Sequence, residues 1–328
     1  MRVLISGGTR FVGWHITAAA LRAGHHVTLL HRGTASEPAF TEAEHLLADR
    51  NGDLAVLDGR AFDAVIDVNA YHPRQVESLA KALGPDAGRY IFISSVSAYD
   101  QPDAPGYSES SRLLPVPDPL PDKVTNESYG PLKVACEQAA RRLFGAATDI
   151  VRPTYVVGPR DQSGRFDYWV RRIAEGGRVL APGDPAAPIQ VIDARDLATF
   201  VVRRLESDGG ATFHTVSPPP PFTFGEMLDT IVSAVGPLST SLTWVDAEFL
   251  QREGIGGGML PLWSADPDDT VLNTAHPAAA YAAGLDPRPL VDTVLELHGY
   301  LSSLIDPPKH DEFVSREHEA ELLARWNN

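Results

Sequence analysis

Along the first 150 residues, short apolar runs alternate with stretches whose apolar positions recur every three to four residues. The runs at Arg2–Ser6, His26–His31, His45–Ala48, Ala64–Val68, Tyr90–Ser94 and Asp149–Arg152 predict strands. They are apolar nearly throughout, without in–out alternation, which predicts a sheet covered on both faces. The intervening periodicity predicts helices over Phe11–Ala23, Arg74–Leu83 and Ser128–Phe144. Gly24, Gly84 and Gly145 follow them where a left-handed cap ends a helix. Regular alternation of strand and helix defines an α/β fold with a parallel sheet.

Residues 100–126 break the rhythm. Six prolines (Pro102, Pro105, Pro115, Pro117, Pro119 and Pro121) crowd a stretch rich in Asp and Ser, which predicts a long loop over the carboxyl end of the sheet. Loops of that length in compact domains usually carry function. Beyond Pro159 helices are expected over Tyr168–Glu175, Ala194–Leu205 and Phe224–Val235, with strands at Val179–Leu180, Ile189–Val191 and Phe213–Thr215. Pro218–Pro221 reads as a stiff connector, Gly254–Gly258 as a turn and Ser315–Trp326 as a terminal helix. The expected division is residues 1–158 with returning segments, a smaller lobe over 159–305, and a tail over 306–328.

Composition narrows the partners. A net charge of −15 suits no polyphosphate backbone, so nucleic acid is not an expected partner. The single cysteine, Cys136, permits neither an intrachain disulfide nor a cysteine zinc site, and its helical setting predicts a small buried hydrophobe. Arg2-Val3-Leu4-Ile5 is too short for a signal peptide, and no run has the length of a membrane span. The expectation is a cytoplasmic protein with no membrane partner. The 11 histidines form no metal-ligand pattern, so no metal is expected.

Directly after the first strand comes Gly7-Gly8-Thr9-Arg10-Phe11-Val12-Gly13, then a helix. A dinucleotide site needs a tight turn, close backbone approach to a pyrophosphate and N–H groups at a helix start, and glycines in this context supply all three. Arg10 stands where the middle glycine usually lies. The second strand ends in His31-Arg32, where an NAD site places a carboxylate on the ribose hydroxyls. Arg10 and Arg32 would instead suit a 2′-phosphate, so NADP is expected over NAD. Asp49, with Arg50 beside it, falls where such folds meet the adenine; Asn69 and Ala70 fall beside the nicotinamide half.

Tyr129-Gly130-Pro131-Leu132-Lys133 puts a phenol and an ammonium one helical turn apart on the same face. The ammonium lowers the phenol's pKa, so the tyrosine can exchange a proton near neutrality. Pro131 is expected in the first turn, where its missing N–H has no partner. Upstream, Ser94, Ser95 and Ser97 offer hydroxyls at the end of the Tyr90–Ser94 strand, and strand alternation separates Ser94 from Ser95.

Taken in order, Gly7…Gly13, Ile93-Ser94-Ser95-Val96-Ser97-Ala98-Tyr99, Tyr129…Lys133, Arg152-Pro153 through Gly158-Pro159 and Ile192–Ala198 resemble the extended short-chain dehydrogenases/reductases, the NAD-dependent epimerase/dehydratase family. The resemblance covers about residues 1–300. It implies a Rossmann fold, a doubly wound parallel sheet with a smaller C-terminal substrate-binding lobe. It also implies a nicotinamide cofactor, with Ser94 and Pro153 along it, and a catalytic set of Ser95, Tyr129 and Lys133. A homodimer through the Ser128–Phe144 helix is a further implication. The Gly-Gly-Thr-Arg-Phe variant resembles a branch with reductases and a chloroplast RNA-binding relative. Tyr155 stands where sugar-nucleotide epimerases carry an Asn, and Ile189 near their diphosphate Arg, so the substrate is expected to differ. Ser97, Tyr155, Arg165 and Trp169 are the candidate substrate contacts. The expected activity is oxidation or reduction at a carbonyl or secondary alcohol of a small polar metabolite. The alternatives are epimerase/dehydratase chemistry on a sugar nucleotide and a non-catalytic nucleotide- or RNA-binding role.

Overall fold

The computed structural model describes residues 1–34, 40–256, 258–306, 308 and 310–326. In chain order the first stretch runs β1 (Arg2–Ser6), α1 (Phe11–Arg22), β2 (His26–His31), β3 (Glu44–Leu47), β4 (Ala64–Asp67), α2 (Pro73–Leu83), β5 (Arg89–Ile93), α3 (Asn126–Phe144) and β6 (Asp149–Pro153). There follow β7 (Tyr155–Val157), α4 (Arg165–Ala174), β8 (Arg178–Pro182), β9 (Val191–Asp193), α5 (Ala194–Arg204) and β10 (Thr212–Thr215). The last stretch holds α6 (Phe224–Val235), β11 (Ser241–Val245), α7 (Ala247–Arg252), α8 (Pro267–Thr270), α9 (Ala278–Ala282), α10 (Leu290–Ser303) and α11 (Arg316–Trp326).

Two compact units emerge. The first comprises residues 1–156, 194–216 and 275–286; the second comprises 157–193, 217–274 and the chain from Pro287 onward. Seven parallel strands in the order β10-β6-β5-β4-β1-β2-β3 form the sheet of the first unit, so the chain reverses direction across the sheet after β3. That is the doubly wound Rossmann arrangement. Ligands in such sheets bind beyond the carboxyl ends of the strands where the order reverses. The central strands are buried on both faces: Val3, Leu4, Ile5, Val65, Ile66, Ile91 and Phe92 are fully enclosed. Each such side chain stabilises the sheet by about 1.5–3 kcal/mol. Cys136 lies in the same core, where burial pushes its thiol up to about 12.

The second unit is less regular. A two-stranded parallel sheet (β8 and β11) packs with α4, α6 and α10 around Phe166, Trp169, Phe224, Met227 and Leu297. Strand β11 and helices α7 and α10 carried no clear sequence signal. The terminal helix α11 groups with this unit and is tied down by Glu319, which accepts from the Arg172 guanidinium at 2.6 Å and the Leu180 amide at 2.8 Å. The expected Gly254–Gly258 turn includes Gly257, and the expected 306–328 tail includes residues 307, 309, 327 and 328; these positions lie outside the described residues.

The expected position of Pro131 is corrected. Thr125 forms a capping box with Ser128, so α3 begins at Asn126 and Pro131 sits inside it, past the first turn. The carbonyl that Pro131 leaves without its helical partner belongs to Glu127, an exposed residue open to water.

Candidate active site

The glycine turn joins β1 to α1. A side chain at Gly13 would bring its Cβ within 1.9 Å of the Gly7 carbonyl oxygen, so no other residue fits there. Thr17 locks the turn by donating to the carbonyls of Gly8 and Gly13, both at 2.9 Å. Arg10, the residue before α1, makes no side-chain cap, and the first turn carries no acidic group. The residues therefore fit a pyrophosphate: N–H groups at a helix start, close backbone and no competing carboxylate. Thr9, Phe11 and Val12 are half-buried on the same turn, and Phe11 has φ +29°.

At the end of β2, the Gly33 amide donates to His31 Nδ1 at 3.1 Å. His31 Nε2 lies 2.9 Å from His45 Nδ1, and His45 Nε2 lies 3.0 Å from the Phe40 carbonyl. These partners select neutral rings protonated at Nε2. Burial, then His45, lowers the His31 pKa. Arg10 and Arg32 are both exposed near this end, and Arg10 Nη2 donates to the Thr34 carbonyl at 3.0 Å.

Arg50 is buried. Its guanidinium clasps Asp67 at 2.6 and 2.7 Å and also donates to Asn69 Oδ1 at 2.6 Å. Burial alone would raise the Asp67 pKa, but Arg50 and the Tyr90 hydroxyl outweigh it and hold the carboxyl low. Asp49 is an exposed turn residue accepting from the Asn51 amide and side chain. Asn69 Oδ1 accepts also from Ser6 Oγ, which ties β1 to the end of β4.

Lys133 is 2% exposed, and its Nζ donates to the carbonyls of Ala70 at 3.0 Å and Ile93 at 2.9 Å. Three rings surround it: Phe92 at 4.7 Å, Tyr71 at 4.9 Å and Tyr129 at 5.8 Å from ammonium to ring centre. Burial lowers the lysine pKa, and the Tyr71 phenol opposes that fall. Tyr129 is half-buried, with its ring 6.2 Å from that of Tyr71.

Ser95 starts the tight turn after β5. Its Oγ accepts from the Ser97 amide and lies 3.1 Å from Ser97 Oγ. Gly130 lets α3 approach this turn, since a Cβ there would come within 2.2 Å of the Ser97 carbonyl. Ser94 points elsewhere: its Oγ donates to the buried Glu137 at 2.5 Å. Pro153 closes β6, and Tyr155 is half-buried on β7.

The first unit thus brings together the glycine turn, Arg10, Arg32, Asn69, Ala70, Ser95, Ser97, Tyr129 and Lys133. Arg165 and Trp169 belong to the second unit. Arg165 Nε donates to Ser163 Oγ, while Trp169 is fully enclosed and donates to the Pro261 carbonyl at 2.7 Å. Trp169 is core, as its helical spacing allows.

Sequence reasoning missed three features. Tyr71 had no spacing to mark it beside Lys133. Glu137 and Arg152 form a buried ion pair whose signal was a charge on the apolar face of α3, four residues after Lys133. In the second unit Asp167 is buried with an Oδ1 that has no partner among the described residues. Burial and the nearby Asp161 raise its pKa to about 7.

A parallel sheet with a glycine turn at its first strand, and a Tyr–Lys helix face against a serine turn, resemble the arrangement of the extended short-chain dehydrogenases/reductases. Residues 59–216 match the model of the NAD dependent epimerase/dehydratase family. That match spans 158 of the 328 residues, just under half of the chain. It is 28% identical over 223 residues to the chloroplast stem-loop binding protein of 41 kDa b of Arabidopsis thaliana, a stretch covering 63% of this chain and 56% of the relative. It is 26% identical over 273 residues to 2′-dehydrokanamycin reductase of Streptomyces kanamyceticus, covering 76% of this chain and 74% of the relative. Among solved structures, UDP-glucuronic acid 4-epimerase of Bacillus cereus, in complex with NAD, superposes with TM-score 0.67 at 17% identity, over 93% of this chain and 100% of that one. A UDP-glucose 4-epimerase of Thermotoga maritima gives TM-score 0.69 at 15% identity, over 92% and 99%. At these identities the structural likeness speaks for the fold alone.

Proposed function

We propose that the protein is an NADP(H)-dependent reductase or dehydrogenase acting on a carbonyl or secondary alcohol of a small polar metabolite. The observation that carries this reading is the joint placement of Tyr129 and Lys133 on one face of α3, against the Ser95 turn, with Gly130 allowing the approach. A bound nicotinamide would supply or accept the hydride. The chain's own residues do the rest. Ser95 orients the substrate oxygen through its hydroxyl. Tyr129 gives or takes the proton at that oxygen, and the Lys133 ammonium favours the phenolate. Lys133 has three N–H donors, two of which its carbonyl partners fix, so its position is set before any ligand arrives. Arg10 and Arg32 favour a 2′-phosphate, and no carboxylate ends β2.

The similarity to 2′-dehydrokanamycin reductase over three quarters of both chains supports a reductase. A second reading, epimerase or dehydratase chemistry on a sugar nucleotide, draws on the match of residues 59–216 to the NAD dependent epimerase/dehydratase family model. It predicts cofactor retained through purification and no net consumption of NADPH. The non-catalytic nucleotide- or RNA-binding reading draws on the Gly-Gly-Thr-Arg-Phe turn and on the stem-loop binding relative, and the −15 charge opposes its RNA-binding version.

The decisive experiment is a binding titration with NADPH, NADH and their oxidised forms, followed by a carbonyl screen with the wild type and Tyr129→Phe. The expected result is NADPH binding by both proteins and turnover by the wild type only. Equal turnover by Tyr129→Phe would remove the tyrosine from its role, and no dinucleotide binding would overturn the proposal.

A further inference from the structure

A second polar system lies under the Ser95 turn, entirely within the first unit. Ser94 Oγ donates to Glu137 Oε1 at 2.5 Å, and Arg152 grips the same carboxylate through Nε at 2.9 Å and Nη2 at 2.6 Å. The remaining nitrogen of that guanidinium, Nη1, donates to the Tyr99 hydroxyl at 2.5 Å and to the Glu109 carbonyl at 3.1 Å. The Tyr99 hydroxyl meets His214 Nε2 at 2.5 Å, and His214 Nδ1 lies 3.1 Å from the His276 carbonyl. Ser94, Glu137, Arg152, Tyr99 and His214 are all 5% exposed or less.

The placement is specific. Ser95 and Ser97 lie between two anchors, Ser94 held by Glu137 and Tyr99 held by Arg152. Glu137 sits on α3 one helical turn beyond Lys133 and two beyond Tyr129, about 12 Å from the latter along the axis. One buried ion pair therefore ties the serine turn to the helix that carries the tyrosine and lysine. It also places two opposite charges where the medium screens them weakly. The titratable groups facing Lys133 are Asp67 and Tyr71 from β4 and the turn after it, and Tyr129, Cys136 and Glu137 from its own helix. Arg152 faces Glu137 and Tyr99, with Glu109 and His214 beyond.

We propose that Glu137 and Arg152 are positioning residues for Ser95, Tyr129 and Lys133, and that their mutual neutralisation sets the charge state of the Tyr129 phenol. This rests on the reading of Tyr129 as the acid/base. Removing the carboxylate alone leaves the guanidinium's positive charge, which stabilises the phenolate. Removing both charges leaves no net field.

The test follows the phenolate absorbance of Tyr129, taken as the difference between each variant and the same variant carrying Tyr129→Phe, as pH is raised. Glu137→Gln is expected to lower the Tyr129 pKa by roughly half to one unit. The double variant Glu137→Gln/Arg152→Met is expected to return it to the wild-type value. Arg152→Met alone, whose surplus charge is negative, shifts it upward and keeps the test open if Glu137→Gln does not fold. An unshifted phenol in Glu137→Gln, or a double variant shifted as far as the single, would overturn the proposal. So would the failure of both single variants to fold, since the pair would then serve the fold before the phenol. If the subtraction reveals no Tyr129 titration below the ordinary phenol range in the wild type, the acid/base reading itself falls, and this inference with it.

Discussion

Two aspartates, Asp67 in the first unit and Asp167 in the second, are 0% and 6% exposed, yet they titrate in opposite directions. Burial pushes both upward. At Asp67 the Arg50 guanidinium, 2.6 Å away, and the Tyr90 hydroxyl outweigh it and hold the group ionised. At Asp167 the neighbouring Asp161 adds to the burial, Arg171 opposes it only weakly, and the pKa rises to about 7. Partners, not depth, decide the charge of a buried carboxyl. Asp67 has both oxygens bonded by Arg50 and the Tyr90 hydroxyl, whereas Asp167, near the start of α4 in the second unit, keeps an Oδ1 with no partner among the described residues.

Breaking the matched pair gives the largest effect. Arg50→Met leaves Asp67 buried without its cation and should destabilise the protein by about 3–5 kcal/mol at pH 7, read from urea unfolding. A loss under about 1 kcal/mol would mean that the Tyr90 hydroxyl alone suffices. The opposite sign is expected at Asp167. Its folded pKa lies above the unfolded value, so its contribution is intact below the unfolded pKa near 4 and is lost as pH rises through about 7. Asp167→Asn should therefore stabilise by about 2–4 kcal/mol at pH 8 and by almost nothing at pH 4. A variant less stable at both pH values would show that the carboxylate has a partner the contrast denies.

A third titrating group sharpens the point. His214 is fully enclosed, and burial lowers its pKa to about 4 despite the nearby Glu109. The unfolded chain binds the proton first, so stability should fall as pH drops from 6.5 toward 4, by up to about 3 kcal/mol. His214→Gln should abolish that slope while lowering stability at pH 7, as paired urea titrations across the range will reveal. A slope unchanged in the variant would assign the acid sensitivity to other groups.

How much of this was legible in the sequence follows from the same physics. The parallel sheet of the first unit was readable because strands buried on both faces are apolar nearly throughout, as β1, β4 and β5 are apart from Arg2, Ser6, Asp67 and Arg89. The glycine turn and the Tyr129–Lys133 spacing were readable because each is local, fixed by a few adjacent residues. The ion pairs were not. Glu137 and Arg152 are 15 residues apart, Arg50 and Asp67 are 17, and only the fold reveals that each meets the other. Arg50 looked available to a cofactor because sequence displays its charge and hides its partner. Irregularity concealed the second unit: β11 alternates poorly, with only Val245 fully buried, and α10 begins after Pro289 with no side-chain cap.

The contrast extends to the arginines, and here the expected effect is smallest. Arg50 is enclosed with a carboxylate, whereas Arg32 is exposed at the end of β2, where an NAD site would carry an acid. If Arg32 and Arg10 recognise a 2′-phosphate, each contact works in water and is weakened by salt. Arg32→Ala should then weaken NADPH binding by about tenfold, or about 1.4 kcal/mol, and leave NADH binding unchanged. The loss should shrink as ionic strength rises, because screening removes from the wild type what the variant already lacks. Equal weakening of both cofactors would place Arg32 on the adenine or the shared pyrophosphate, and the preference would then have to come from Arg10 or be absent. Arg32→Glu restores the acid that NAD sites use, so it should reverse the order of the two affinities; a variant that still prefers NADPH would break the charge argument at its root.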